Sequence, residues 1–224
     1  MRERCILSEF AESIRLEIVV GHPSMPGFIH ELPMTMTAFA YAERAHDGQL
    51  RRVDGAPFIV HPLEVASLLD YAGAPDHLVA AGVLHDTIEK TYVVASDLRE
   101  RFGSRVATLV LAVSEDEHIT GYARRKAALR EQVARTGEEA LMLFAADKLS
   151  KARELHLGPR PARKSHSASA VITRSLARRL THYRHCLALL EDQLPDSPLV
   201  KQLRTELGAH LHGAVSEPVL ASMR

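Results

Sequence analysis

The stretch LVAAGVLHDTIEK, at residues 78–90, decides how the rest of the chain is interpreted. It opens with an uninterrupted apolar run from Leu78 to Leu84, inside a segment that is predicted to form one helix over residues 76–90. A helix that is apolar on every side is expected to be buried. His85 and Asp86 end the apolar run, and we therefore expect both side chains to be drawn into the interior.

A second apolar run carries another charged residue inward. Residues 141–146 read LMLFAA, so the helix predicted at 138–156 is expected to be buried there together with Asp147. An isolated buried carboxylate costs free energy and needs a cation or several hydrogen bonds. His61, directly before Pro62, is the third candidate. Plainer interpretations also exist, because a histidine before proline is often a loop residue and an aspartate after an apolar run is often a helix cap.

These segments together contribute two imidazoles and two carboxylates, from His61, His85, Asp86 and Asp147. This set neutralises a divalent ion in charge and suits Mn²⁺, Fe²⁺ or Zn²⁺ by ligand type. Four protein ligands leave room for water on an octahedral ion, and such a water can become a nucleophile. On a continuous helix, Glu89 shares a face with His85 and Asp86, which makes it a candidate to orient or deprotonate the water.

The remaining sequence predicts helices and no sheet. The chain has 30 Ala and 29 Leu, no Trp and only 11 Phe and Tyr, a composition that favours helices over strands. The predicted helices cover 35–49, with Thr35 or Thr37 as N-cap; 62–71, with Pro62 in first position; 76–90; 97–102, with Ser96 as N-cap; 106–113, after Gly103; 122–135; 138–156; 172–194; and 198–211, with Ser197 as N-cap. We predict an N-terminal extension at 1–34, a core at 35–157, a basic connector at 158–169, and C-terminal helices at 170–224 that pack on the core.

Charge and cysteine content exclude several classes of protein. The 28 Lys and Arg balance 28 Asp and Glu, and 46% of residues are hydrophobic, so the chain is neither a basic nucleic-acid binder as a whole nor a disordered tail. Cys5 and Cys186 are too few for a disulfide framework or a cysteine zinc site, which favours a reducing, cytoplasmic setting. No signal peptide or membrane span is predicted, and the oligomeric state stays open.

Most of the 13 histidines need no function. His46 is expected to support its loop through a hydrogen bond, without binding a metal. Ten others, including His182 and His185 on the helix at 172–194, are expected at the surface.

Four motifs give the chain a resemblance to a known family. HDGQLRRVDGAPFIVHP (46–62), LHDTIEKT (84–91), FGSRVATLV (102–110) and AADKLSKARELH (145–156) resemble, in order and spacing, the HD-domain hydrolases of the RelA/SpoT type. These enzymes remove the 3′-pyrophosphate from the alarmones ppGpp and pppGpp, and include single-domain small alarmone hydrolases. The resemblance covers about residues 35–156. It implies an all-α HD-domain helical bundle with additional C-terminal helices, and a role in the stringent response.

The resemblance also implies roles for individual residues. The family's metal, usually Mn²⁺, is held at the positions of His61, His85, Asp86 and Asp147. Arg51 matches an arginine beside the nucleotide, and Glu89 matches the first acid of the catalytic Glu-Asp pair. Lys148 and Lys151 are further candidates for phosphate contacts.

Two lysines depart from the family's pattern. Lys90 stands at the position of the second catalytic acid, and Lys151 stands where the family usually has a ligand-contacting asparagine. Lys90 removes a possible base, whereas Lys151 can meet a phosphate but cannot accept a hydrogen bond. Either both lysines point to solvent, or each pairs with the carboxylate four residues earlier, Asp86 or Asp147.

Two hypotheses of function follow. The first is a metal-dependent phosphohydrolase acting on a pyrophosphorylated or phosphorylated nucleotide, with no membrane or nucleic-acid partner expected. The second is a degenerate HD module that binds a nucleotide or a protein partner without turnover, and it is motivated by Lys90 and Lys151.

Overall fold

The structure is a computed structural model that describes residues 26–155 and 166–213, of which 166–174 and 209–213 are described by their backbone alone. Within this part of the chain the regular elements are helices, and the all-α prediction is confirmed. They are a 3₁₀ turn at Gly27–Glu31, α1 (Pro33–Ala45), α2 (Val60–Tyr71), α3 (Asp76–Leu84), α4 (Thr87–Lys90), α5 (Ala95–Val113), α6 (Tyr122–Thr136), α7 (Glu138–Glu154), α8 (His166–Gln193) and α9 (Pro198–Gly213). The loop after α1 contains an isolated bridge between Leu50 and Pro57.

Helix α3 lies at the centre of the bundle, where it contacts α1, α2, α5 and α7. Every residue from Leu78 to Leu84 is buried, as its apolar sequence predicts. Gly82 permits the close approach of α2, because a Cβ atom at this position would lie 2.7 Å from Leu69 Cδ1. The residues that follow α3 are therefore held in the middle of the fold.

The start of α1 differs from the prediction. The helix begins at Pro33, and neither Thr35 nor Thr37 is its N-cap. Instead, the carboxylate of Asp76 on α3 accepts hydrogen bonds from the backbone N–H groups of Met34 and Thr35, both at 2.9 Å. An acid from another helix thus satisfies the free N–H groups that a cap residue would otherwise take.

The prediction of one helix over residues 76–90 is wrong. Helix α3 ends at Leu84 and α4 begins at Thr87, which leaves His85 and Asp86 at a break between the two helices. The Thr87 hydroxyl donates to the Leu84 carbonyl and stabilises this turn. The prediction that Glu89 shares a helix face with His85 and Asp86 assumed a continuous helix, and the two helices are separate elements here.

Other boundaries differ less. Helix α2 begins at Val60, two residues before Pro62, and Val94 rather than Ser96 precedes α5 without a side-chain cap. Gly103 has φ +84° and kinks α5, so the predicted separation into two helical segments is confirmed. Helix α9 begins at Pro198, as predicted.

The C-terminal helices contact the rest of the bundle. Helix α8 packs against α6 and α7, and α9 packs against α7 and α8. Helix α8 begins at His166, inside the segment predicted as a connector. Residues 158–165 of that segment, and residues 1–25 of the extension predicted at 1–34, lie outside the described residues. The division of the chain into domains stays a prediction.

The expectation that His182 lies at the surface is wrong. Its side chain is buried, with Nδ1 3.1 Å from Arg130 Nη1 and both ring nitrogens 3.5 Å from Cys186 Sγ. The ring also contacts Tyr122 edge-on. The physical reason is that α8 packs onto α6 and α7 along this side of the helix.

Candidate metal centre

Four buried side chains from three parts of the fold meet at one point. His61 comes from the first turn of α2, His85 and Asp86 come from the break after α3, and Asp147 comes from the middle of α7. All four are buried. The structure thus brings together all four residues that the sequence predicts as metal ligands.

The atoms that face one another are two imidazole nitrogens and two carboxylate oxygens. His61 Nε2 lies 3.2 Å from His85 Nε2, and both nitrogens lie 3.6 Å from Asp86 Oδ2. Asp147 Oδ1 lies 3.3 Å from His61 Nε2 and 3.5 Å from His85 Nε2. The ligand atoms of His61, His85 and Asp86 all lie within 4.8 Å of one another, and Asp147 Oδ1 adjoins this group beside the two imidazoles.

Hydrogen bonds behind the site fix the tautomer of His61. Its Nδ1 lies 2.9 Å from Ser150 Oγ, and Ser150 Oγ lies 3.0 Å from Glu64 Oε2. A hydroxyl has one hydrogen, and the ionised Glu64 carboxylate can only accept it. Ser150 therefore accepts from His61, which places the proton on Nδ1 and leaves Nε2 with a free lone pair.

His85 is fixed in the same way by the backbone. Its Nδ1 lies 2.8 Å from the carbonyl oxygen of Gly82, which can only accept a hydrogen bond. The proton of neutral His85 is thus on Nδ1, and its Nε2 also presents a lone pair. Orientation of both rings by hydrogen bonds from the far nitrogen is typical of metal-binding histidines.

The two imidazole nitrogens and two carboxylate oxygens that face one another are all hydrogen-bond acceptors when the rings are neutral, so they cannot form hydrogen bonds among themselves. Asp86 Oδ2 is buried and has no hydrogen bond from the described residues, whereas Asp147 Oδ1 faces the two imidazoles and has the ammonium of Lys151 2.7 Å away on another side. Buried polar atoms without a partner cost free energy and call for an explanation such as a bound ion. A divalent cation accepts electron pairs from two imidazoles and two carboxylates at once, and the residues present therefore fit such a metal.

The pKa shifts agree with this ligand set. Burial lowers the pKa of His61 to about 4, so this imidazole is neutral at pH 7, as a metal ligand must be. Burial raises the pKa of Asp86 and of Asp147, but nearby cations outweigh it and hold both carboxyls well below their usual range. For His85, the effect of burial is outweighed by the two aspartates, which raise its pKa. The carboxylates thus create a strong local preference for a cation.

Three lysines lie against the ligand carboxylates. Lys148 Nζ pairs with Asp147 Oδ2 at 2.5 Å and also lies over the Phe144 ring. Lys151 Nζ is 2.7 Å from Asp147 Oδ1, and Lys90 Nζ is 3.7 Å from Asp86 Oδ2. Of the two alternatives for Lys90 and Lys151, pairing with the carboxylate four residues earlier is the one the structure adopts.

Glu89 and Arg51, the other predicted site residues, make contacts with protein groups outside the four ligands. The carboxylate of Glu89 accepts a hydrogen bond from the backbone N–H of Glu115, in the loop after α5. The guanidinium of Arg51 is buried, 3.0 Å from Glu154 and 3.5 Å from Asp54. Their roles toward a substrate stay predictions, and a phosphate that approached Arg51 would compete with Glu154.

His46 supports its loop, as expected from the sequence. Its Nδ1 lies 3.0 Å from Gln49 Oε1, and Gln49 Nε2 donates to the carbonyl of Lys90 at 2.8 Å. This chain of bonds connects the loop after α1 to the end of α4.

Sequence reasoning missed the residues behind the ligands, namely Ser150, Glu64 and Glu154. A signal was available for two of them. Glu64 is three residues after His61, and Ser150 is three residues after Asp147, so each shares a helix face with a ligand.

This chain combines an all-helical bundle with a buried cluster of two histidines and two aspartates, which are the features of a helical metal-binding domain. The sequence matches the HD domain family over residues 38–183, and the chain belongs to that family. The resemblance that the four motifs predict is thus confirmed.

Curated relatives share this region. The chain is 34% identical over 154 residues to a probable GTP pyrophosphokinase of Mycobacterium leprae, covering 66% of this chain and 19% of the relative. It is 33% identical over 120 residues to the guanosine-3′,5′-bis(diphosphate) 3′-pyrophosphohydrolase of Aquifex aeolicus, covering 53% and 17%. To a GTP pyrophosphokinase of Myxococcus xanthus it is 40% identical over 97 residues, covering 42% and 13%. The chain spans less than a fifth of the length of these relatives.

Solved structures share the fold. One, described as a metazoan ortholog of SpoT that hydrolyzes ppGpp and plays a role in starvation responses, matches with a TM-score of 0.66 and 21% identity, covering 84% of this chain and 98% of that one. A protein of Listeria monocytogenes EGD-e matches with a TM-score of 0.55 and 27% identity, covering 68% and 94%. The HD-domain helical fold is therefore the fold of this chain.

Proposed function

We propose that this chain is a divalent-metal-dependent phosphohydrolase that removes the 3′-pyrophosphate from ppGpp-type alarmones. The observation that carries the proposal is the meeting of His61, His85, Asp86 and Asp147, with both imidazoles held in the tautomer that leaves Nε2 free. Membership of the HD domain family supports it. So do a relative named as a 3′-pyrophosphohydrolase of this nucleotide and a structural neighbour described as hydrolysing ppGpp.

In the proposed reaction, different residues orient the metal ligands and neutralise the charge of the phosphate. When bound, a divalent ion supplies positive charge that polarises a phosphate oxygen and acidifies water. Ser150 and the Gly82 carbonyl hold the two ligand imidazoles in place. Lys148 and Lys151, both within 2.7 Å of Asp147, neutralise phosphate charge beside the ligands.

Glu89 is the proposed proton acceptor. As a water oxygen forms a bond to the phosphorus that is linked to the ribose 3′-oxygen, Glu89 takes a proton from that water. The bond between this phosphorus and the 3′-oxygen breaks, the 3′-oxygen takes up a proton from solvent to become a hydroxyl, and pyrophosphate leaves; ppGpp then yields the nucleoside 5′-diphosphate. The Glu115 N–H orients the Glu89 carboxylate for this role, and Arg51 contacts the nucleotide. Lys90, at the position of the family's second acid, leaves Glu89 as the base.

The same proposal includes the setting of the reaction. Mn²⁺ is the proposed metal because the resemblance to the RelA/SpoT-type hydrolases implies it, and the imidazole and carboxylate ligands are compatible with it. The proposed partner is a small nucleotide in the cytoplasm, as part of the stringent response. Among the described residues, no helix is both long and apolar enough to cross a membrane.

The test is pyrophosphate release from ppGpp and pppGpp by the full chain in Mn²⁺. We expect release by the wild type, none above background by Asp86→Ala, and an unchanged rate for Asp47→Ala, whose side chain is exposed. Absence of release from either nucleotide by Mn²⁺-loaded wild-type protein would contradict the proposed activity.

The pairing of Lys151 with Asp147 and of Lys90 with Asp86 favours a second candidate, a module that binds a nucleotide without turnover. Its signature is heat of ppGpp binding in a calorimetric titration together with intact nucleotide afterwards. Turnover that disappears in His61→Ala would rule it out.

A further inference from the structure

Asp147 Oδ1 has two kinds of neighbour that compete for it. The two imidazole nitrogens lie 3.3 Å and 3.5 Å away, on the side where a metal would sit. Lys151 Nζ lies 2.7 Å from the same oxygen. An ammonium group thus already neutralises the oxygen that faces both histidines.

Lys151 cannot simply move to the other carboxylate oxygen. Asp147 Oδ2 is paired with Lys148 Nζ at 2.5 Å, and the Lys148 side chain is only 6% exposed. The Lys151 side chain is 27% exposed, so its flexible stem has a path outward to solvent. Because like charges repel strongly at a few ångströms, a divalent ion at Asp147 Oδ1 favours outward movement of Lys151.

Lys90 provides a weaker version of the same arrangement. Its ammonium is 3.7 Å from Asp86 Oδ2, and its side chain is 34% exposed. It also lies over the Phe58 ring, at 5.5 Å from the centroid. The longer distance and greater exposure predict a smaller effect on a metal.

We infer that Lys151 is an internal cation that competes with the divalent metal for Asp147, and that a phosphate ligand relieves the competition by accepting the Lys151 ammonium. The inference rests on the metal site of the proposed function. It makes Lys151 a residue that couples the binding of metal to the binding of phosphate. Because such coupling is reciprocal, phosphate raises the affinity for metal by the same factor as metal raises the affinity for phosphate.

The first experiment measures Mn²⁺ binding alone, by calorimetry on the full chain. We expect Lys151→Met to bind Mn²⁺ about tenfold more tightly than wild type, because the variant removes a positive charge beside the ion. The thioether of methionine is a poor ligand for Mn²⁺, so the gain cannot come from a new metal ligand. Lys151→Arg keeps the charge and should bind like wild type, and Lys90→Met should gain less than Lys151→Met. Lys201→Met is the matched control, at an exposed lysine of α9 that bonds the Asp196 carbonyl.

The second experiment repeats the titration with inorganic phosphate, at matched concentrations of free Mn²⁺. Phosphate should tighten Mn²⁺ binding to the wild type and to Lys201→Met by several fold. It should tighten binding to Lys151→Met by a clearly smaller factor, because that variant has lost the ammonium that phosphate would draw away.

The outcomes separate this inference from the proposed function. If Lys151→Met binds Mn²⁺ no more tightly than wild type, or if phosphate acts equally on both, Lys151 does not compete and the inference fails while the metal site stands. If neither protein binds Mn²⁺, the inference and the proposed function fail together.

Discussion

The imidazoles of His61 and His85 are prepared for a metal by groups that never touch it. One proton is committed to Ser150 Oγ and the other to the Gly82 carbonyl, at 2.9 Å and 2.8 Å. In the neutral form of each ring, Nε2 therefore carries a free lone pair. Of these two supports, Ser150 is the one that a side-chain substitution can remove.

Ser150→Ala should lower the affinity for Mn²⁺ by about 10- to 100-fold, because the ring of His61 loses the partner that fixes its tautomer. The measurement is a calorimetric titration with Mn²⁺. Ser67→Ala is the matched control, since Ser67 is a buried serine on α2 whose hydroxyl has no hydrogen-bond partner among the described residues. Equal affinities for Ser150→Ala and wild type would show that the hydroxyl does not hold the ring.

His182 should make the stability of the protein depend on pH. Burial and then the charges of Lys148, Lys126 and Arg130 lower its pKa to about 2, so the folded protein keeps it neutral when the unfolded chain binds a proton. The free energy of unfolding therefore falls as the pH drops below about 6.5, by about 1.4 kcal/mol per pH unit from this residue.

Urea unfolding of the metal-free protein at pH values from about 6.5, the pKa of free histidine, down to about 4.5 measures the contribution of His182 to the free energy of unfolding. His182→Gln should be less sensitive to acid than wild type by that slope, whereas His118→Gln, at an exposed position, should follow wild type. Parallel curves for His182→Gln and wild type would contradict the assignment.

The burial of a single polar residue could be predicted from the sequence when its own helix is apolar next to it. Asp147 could be predicted because it directly follows an apolar run, and the structure gives it the cationic partners that its burial requires. His182 could not, since its environment is built by α6 and α7, which are distant in sequence. The pairing of Lys151 was one of two open alternatives, because spacing alone does not tell solvent from a carboxylate.

Among the helices, the contact between α1 and α3 combines packing with capping. Asp76, at the start of α3, accepts from Met34 N, Thr35 N and the Thr35 hydroxyl. This arrangement also explains why the predicted caps of α1 were wrong. A local motif identifies a cap within a few residues, whereas Asp76 is 41 positions from Thr35.

Asp76→Ala should lower the free energy of unfolding by about 1–2 kcal/mol, because it leaves the first N–H groups of α1 without their acceptor. Denaturation in urea measures the change. Asp76→Asn retains an oxygen acceptor and should lose less, and Asp47→Ala should unfold like wild type. An unfolding free energy for Asp76→Ala equal to that of wild type would contradict a capping role.

The break between α3 and α4 shows what periodicity could not predict. The apolar run and the helix-forming residues after it favour one continuous helix, yet the chain turns at His85 and Asp86. Local bonds from Thr87 to Leu84 and from His85 to Gly82 stabilise the turn. The side chains of His85 and Asp86 are buried at this interruption.

In the molecule as a whole, the site lies where α2, α3 and α7 converge, and these helices also contribute to the hydrophobic core. Lysines already lie against the two carboxylates there, but the lone pairs of the two imidazoles and Asp86 Oδ2 still have no hydrogen-bond donor that satisfies them. Metal binding and stability should therefore be linked, because an ion that binds only the folded chain stabilises it by mass action.

Mn²⁺ at 100 times its dissociation constant should raise the free energy of unfolding of the wild type by about 2.7 kcal/mol. Urea titrations with and without the ion measure this difference. Asp86→Ala should show no increase. A metal-independent unfolding curve for the wild type would mean that the four side chains do not form a metal site in the folded state.

The metal content of the purified full chain, after dialysis against Mn²⁺ and then metal-free buffer, tests the assignment of the site most directly. The ligand geometry predicts one Mn²⁺ per wild-type chain, close to none in Asp86→Ala, and wild-type content in Asp47→Ala. Wild-type protein that retains no Mn²⁺, or Asp86→Ala that retains as much as wild type, would contradict a metal centre formed by His61, His85, Asp86 and Asp147.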